Sequence, residues 1–385
     1  MIGAAPSTWW RLVRRALAVG VVLLQALASG GDAHAGRGDR GAGRVGSREV
    51  TGRRRASHVP ARRIGVRTTR ATRRFSGWRI ESELKPTDGV LVGPPHLFTR
   101  FKRSIMKGLP RHLVLFVADP GPPLGREAAG LDVRPVGHDM DPWTRDWTPF
   151  LVRGPRGQKR LVQFAHKPWS LEFGNALARE LGLPLVESSL DIDGGNLIAD
   201  GRGNLLLAWE HVRKKNPGLT RAEIEGRLRR EIGARSITWL PSLPDERTGH
   251  ADIFLKYAGR VRGREAMILA DSPDPARHAM LERVARTLRA RGYRVLRIMN
   301  HEHQGTPYSY AQAVLLTGTR RVALVPFYAE KHLSARVLAD ARARDAAAQR
   351  LYRNLGYQVV PLRARDLMSG GGSAHCTIRE IPSIR

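Results

Sequence analysis

The residues best suited to covalent chemistry lie in "GGGSAHC", residues 370–376, where Cys376, the only cysteine in 385 residues, follows three glycines and a histidine. A lone cysteine is either an inert buried hydrophobe or a reactive thiol. Glycines remove side-chain bulk, so main-chain groups can approach whatever the sulfur attacks. His375 is adjacent in sequence, which can turn its side chain away from the thiol, so proton transfer is assigned to His250. In "DERTGHADIFLKY", His250 and Asp252 would share one face of an extended segment, pairing an acid–base group with a carboxylate. The same pair would serve half a metal site or an ordinary strand end. "DMDPWTRDWTPF" sets Asp139, Asp141 and Asp146 among Trp143 and Trp147. That composition suits a pocket wall that stacks a flat cation while a carboxylate holds it. It equally suits a surface turn in which Arg145 pairs with an aspartate. In "SSLDIDGGN", Asp193 precedes Gly194 and Gly195, a carboxylate beside approachable backbone or simply a turn. "HEH" at His301 to His303 has metal-like spacing without a matched third ligand.

Alternating short apolar runs and amphipathic stretches must position these groups. "HLVLFVA", "SITWLP", "EAMILAD", "YRVLRIM" and "YQVVPLRA" read as strands, and turns at Asp200-Gly201 and Thr317-Gly318 read as hairpins. "TRAEIEGRLRREIG" opens with Thr220 and Glu223 in capping-box spacing. "PARHAMLERVARTLRARG" puts Met280, Leu281, Val284 and Leu288 on one helix face, and "LSARVLADARARDAAAQRLYRNLG" is a third helix. The pattern is that of an α/β domain over residues 76–385.

Ahead of it the composition changes. The chain carries a formal net charge of +30, and residues 36–75 hold thirteen arginines against Asp39 and Glu49. With few large apolar residues this stretch cannot offset its ordering entropy and reads as a disordered linker. Residues 1–35 have a basic start, an apolar run and Ala33-His34-Ala35, the three parts of an export signal, so a periplasmic or extracellular location is expected, with no stable membrane span after processing.

Taken in order, "WTRD", "DGGNLIADGRGNLLL", "TGHADIF", "YSYAQAVLLTG" and "GGGSAHC" resemble the agmatine deiminase and bacterial-type peptidylarginine deiminase family, within the guanidino-group-modifying superfamily. The resemblance implies Cys376 as nucleophile, His250 as general acid/base, Asp146 and Asp252 as the carboxylates gripping a guanidinium, and Trp143 as pocket wall with Asp193 lining the site. It also implies a five-bladed, pseudo-symmetric α/β propeller of ββαβ units. Asp193 is one methylene shorter than the family's glutamate, and Gln312 stands where asparagine is usual. The implied reaction turns peptidyl-arginine into citrulline and ammonia through a covalent thiouronium, and it requires no metal or organic cofactor. Agmatine deimination to N-carbamoylputrescine is the alternative, with amidino transfer to an amine another. Arg153, Arg156, Arg160 and Lys167 are candidate anion contacts for a peptide substrate. A non-enzymatic alternative is a polyanion-binding exported protein. The Arg-rich segment would then make a weak polyanion contact, but no nucleic-acid motif accompanies it.

Overall fold

The computed structural model describes residues 77–94, 97–118, 124, 126–137, 141–368 and 370–384. The expected export signal and Arg-rich linker lie outside them. The described residues all fall in one compact unit.

Its strands run in chain order. The first seven are β1 (Arg79–Ile80), β2 (Thr87–Val92), β3 (Val114–Ala118), β4 (Asp132–Val136), β5 (Phe150–Arg153), β6 (Lys159–Ala165) and β7 (Leu185–Asp191). There follow β8 (Ile198–Ala199), β9 (Asn204–Ala208), β10 (Ser236–Leu240), β11 (Leu255–Val261), β12 (Arg264–Asp271) and β13 (Arg294–Met299). The last six are β14 (His301–His303), β15 (Thr306–Tyr308), β16 (Val314–Leu316), β17 (Val322–Phe327), β18 (Gln358–Arg363) and β19 (Ile378–Pro382). Apolar runs become strands where both faces are covered: Ala266, Met267, Ile268, Leu269 and Ala270 of β12 are all buried. The expected hairpins form, β8 with β9 and β16 with β17, both antiparallel. At the first, Gly201 takes φ +76° and the Asp200 carboxylate accepts from the amides of Arg202 and Asn204.

The helices follow their caps. Thr220 and Glu223 make the reciprocal capping box at the start of Arg221–Glu231. Asp274 caps Pro275–Ala290, with proline in the first turn, and this helix buries Met280, Leu281, Val284 and Leu288 as one stripe.

An α/β architecture of several sheets results, but the five-bladed propeller is not observed. The described strands divide into six separate sheets of four, three, three, two, three and four strands, none of them closed on itself. Local ordering fixes pairing within each sheet, as when antiparallel β11 and β12 are followed by a helix and parallel β13. It does not impose equal blades or ring closure, and the short β14–β15 ribbon stands as a sheet of its own. Among the described residues no helix is long and apolar enough to cross a membrane. What matters for chemistry is that β19 pairs with β2, bringing the segment just after Cys376 beside the start of the described domain.

Candidate active site

The glycines before the thiol are explained by an indole. A Cβ on Gly370 would stand 2.8 Å from Cζ2 of Trp143, and one on Gly372 would run into Cζ3 of the same ring. Gly371 adds a left-handed turn at φ +89°. The loop thus lies flat on Trp143, which is tilted against Phe98, and ends in the one-turn helix Ala374–Thr377. Ser373 Oγ is 2.6 Å from the Tyr328 hydroxyl, which donates to the Ser309 carbonyl. Cys376 is buried, and its Sγ–H donates to Gln312 Oε1 at 3.1 Å. Burial pushes the thiol well above its ordinary value, and the charges of Asp252 and Asp146 push it further. The resting sulfur is protonated.

His375 does turn away from the thiol. Its Nδ1 lies 2.7 Å from Asp252 Oδ2 and its Nε2 3.2 Å from both Glu83 oxygens. Behind it is a buried ion network. Arg145 donates to Glu83 at 2.9 Å, to Glu380, and to the carbonyls of His375 and Ile378, while Lys256 Nζ reaches Glu83 at 2.7 Å. Burial opposes ionisation of Glu83, yet Lys256, Arg145 and His375 outweigh it and hold the carboxyl well below the usual range. Arg145 and His375 sit inside the quoted motifs. Glu83 comes from a segment with no motif, and Lys256 stands next to last in the quoted "DERTGHADIFLKY" stretch without a role read for it.

The remaining groups meet at Gly195. A Cβ there would stand 2.9 Å from each of Asp146 Oδ1, Asp252 Oδ2 and His250 Nδ1, so only a hydrogen fits between them. The Gly195 amide donates to Asp146 Oδ1 at 2.9 Å. His250 and Asp252 are not on a strand as expected: His250 caps a single 3₁₀ turn, Ala251–Ile253, that carries Asp252. The tight turn replaces the two-residue alternation and still aims both at Gly195. Asp252 Oδ1 is buried without a hydrogen-bond partner among the described residues.

His250 Nδ1 is 3.6 Å from Asp146 Oδ1, and Nε2 is 3.1 Å from Asp193 Oδ2. Burial alone would lower the imidazole; Asp146, the Asp193 hydrogen bond and Asp252 overcome it and raise it to about 9. Asp146 is raised by burial and by Asp193 and Asp252, against His250. Asp193 is ringed by bases: His166 Nδ1 at 2.7 Å and Lys215 on Oδ1, His211 Nε2 at 3.0 Å and His250 on Oδ2. Burial opposes its charge, but the hydrogen bonds from His166, His211 and His250 hold it far below the carboxylate range. Of these bases, His166, His211 and Lys215 carry no motif.

Beside the glycine loop opens a cavity of about 430 Å³ whose walls include Gln312, Gly372, Ser373, Glu246 and Arg247. Of the expected anion contacts, Arg153 is paired with Glu81, and Arg160 stacks over Trp78 at 4.0 Å. Neither they nor Arg156 and Lys167 line this cavity. Asp141 serves structure, accepting from the Trp147 indole at 2.6 Å, and Asp139 lies outside the described residues. His301 of the "HEH" stretch pairs with Asp340.

An α/β fold that gathers an imidazole and two carboxylates around one glycine, with a buried thiol under the charge of those carboxylates, fits an enzyme that hydrolyses guanidino groups. The family model for Porphyromonas-type peptidyl-arginine deiminases matches residues 103–382, and the chain belongs to that family. A Shewanella baltica protein named "Putative agmatine deiminase" is 28% identical over 274 residues, 63% of this chain and 74% of its own. A second relative of that name, from Shewanella frigidimarina, is 28% identical over 325 residues, 76% of this chain and 82% of its own. Among solved structures, the C. jejuni agmatine deiminase superposes with a TM-score of 0.62 at 17% identity, covering 80% of this chain and 97% of that one, a likeness of fold.

Proposed function

We propose that the chain deiminates a small guanidino substrate, agmatine foremost, through a covalent intermediate on Cys376. The observation that carries this is the convergence of Asp146, Asp252 and His250 on Gly195 beside a protonated thiol. A guanidinium is planar and stays charged at neutral pH, so its carbon is a poor electrophile for water. Asp146 and the unpartnered Asp252 Oδ1 take its N–H groups and fix its plane. Its arrival also offsets the two negative charges that add to burial in keeping the thiol protonated, and the sulfur proton leaves to solvent.

The thiolate then bonds to the central carbon. Protonated His250 gives its proton to one amino nitrogen, the C–N bond breaks, and ammonia departs, leaving an S-alkylthiouronium. Neutral His250 next takes a proton from water as hydroxide adds to the same carbon. The C–S bond breaks, thiolate is regenerated, and the product is a urea, N-carbamoylputrescine from agmatine. Asp193, with both oxygens engaged by bases, holds His250 by Nε2 so that Nδ1 faces the reacting group. Ammonia release from agmatine that vanishes in Cys376→Ala, while binding of agmatine persists, is the expected result; full activity in that variant ends the reading.

One observation favours a second substrate class. Arg247 lines the cavity, is exposed, and has no ion-pair partner among the described residues. It would complement a carboxylate, which agmatine lacks and arginine or a peptide ending in arginine carries. Arg247→Ala lowers kcat/KM for such substrates roughly tenfold or more, the worth of a charge-assisted hydrogen bond, if they are the true ones. If agmatine is, the change leaves its turnover intact or improves it. Paired ammonia assays on both substrates decide.

A further inference from the structure

The ring of bases around Asp193 exceeds what orienting one histidine requires. We infer that Asp193, His211 and His250 form a binding site for a divalent transition-metal ion, zinc by the chemistry of the donors, whose occupation switches off the hydrolysis. The switch rests on His250 acting as the acid/base of the proposed reaction; the metal site itself does not.

Asp193 Oδ2 lies 3.0 Å from His211 Nε2 and 3.1 Å from His250 Nε2. The three donor atoms all lie within 4.8 Å of one another. Neighbouring ligands on a tetrahedral zinc, with bonds of about 2.0–2.1 Å, stand roughly 3.3 Å apart. The existing spacing is close to that, and the two imidazoles already meet edge to face at 89° with centroids 4.5 Å apart. Two imidazoles and a carboxylate suit zinc and leave a fourth position for water. The outer shell is also present: His166 and Lys215 hold the other Asp193 oxygen, the kind of support that orients a ligating carboxylate. The His211 side chain is 13% exposed, which gives an ion a way in. By contrast, the grouping of Glu83, His375 and Glu380 is already threaded by Arg145 and Lys256. A metal on His250 Nε2 takes the place of the proton there. The imidazole then lacks the charge that lets Nδ1 donate to departing ammonia.

Full-length protein freed of metal with a chelator is equilibrated with zinc chloride, and bound metal is measured by elemental analysis. One zinc per chain is expected in the wild type and in Cys376→Ala, and binding more than ~100-fold weaker in both His211→Ala and His211→Gln, beyond the loss typical of an outer-shell partner. Cobalt in place of zinc should give tetrahedral ligand-field bands without a sulfur charge-transfer band. The glutamine variant keeps a donor to Asp193, so a folding failure of the alanine variant still leaves a test. Zinc binding lost in Cys376→Ala, or unchanged in the folded His211 variants, overturns the site. Ammonia release that zinc stops and chelator restores supports the switch; release unaffected by bound zinc overturns it. Zinc bound as described, with no ammonia released whether or not chelator is present, upholds the site and fails the hydrolysis reading instead.

Discussion

At the scale of single residues, the protonation of each site group is set by several neighbours together with its burial. In the proposed reaction His250 works as an acid only while charged, and against its own burial it is raised to about 9, by Asp146 first. Ammonia release should therefore fall as pH rises through about 9. In Asp146→Asn that limb should move to lower pH, because a charge that favours the imidazolium is gone; a limb that stays fixed in the kcat profile would contradict the assignment. His250→Gln should lower kcat by roughly 10²–10⁴ while agmatine affinity changes little, read by steady-state kinetics with direct binding. Cys376 should react slowly with iodoacetamide in the free protein and faster once a guanidinium compound fills the site, measured by mass spectrometry of the labelled peptide. That Asp146, His250 and Asp252 lie together was legible in the sequence, because they and Cys376 sit in short motifs of chemically capable residues. Glu83, Lys256, His166, His211 and Lys215 were not. Their partners are 292, 173, 27, 18 and 22 residues away along the chain, so only the folded backbone introduces them.

Among the secondary-structure elements, the glycine loop is the part on which the thiol's position depends. Gly372→Ala places a methyl group in the Trp143 ring, so loop or indole must move, at a cost of about 1–3 kcal/mol. The expected result is a loss of kcat greater than tenfold together with a lower melting temperature. Thr220→Ala is the control: it breaks the capping box of Arg221–Glu231, costs about 1 kcal/mol, and should leave kcat unchanged. Calorimetry and the ammonia assay separate the two. Strand and helix assignments were readable wherever periodicity and caps agreed, as in Pro275–Ala290. They failed at the His250 turn, where a glycine at φ +70° and the Glu246 carboxylate, accepting from the amides of Thr248 and Gly249, bend the chain out of extension. Each of those residues is ordinary alone.

For the whole molecule, the assembly of sheets was the least legible level. Ladder pairing follows from local pattern, whereas the number of strands per sheet and the lack of closure depend on contacts between distant segments. The buried network around Arg145 joins such segments: it ties Glu83, near the start of the described domain, to Glu380 in β19. Arg145→Met would strand two carboxylates and should destabilise the fold by about 3–5 kcal/mol, visible in urea unfolding monitored by tryptophan fluorescence. There is also a consequence for biosynthesis. Because β19 docks on β2 and follows Cys376, the proposed nucleophile leaves the ribosome after Asp146, Asp193, His250 and Asp252. A nascent chain carries the acidic cradle well before its one thiol, so in the proposed reaction competence would coincide with closure of the final strand.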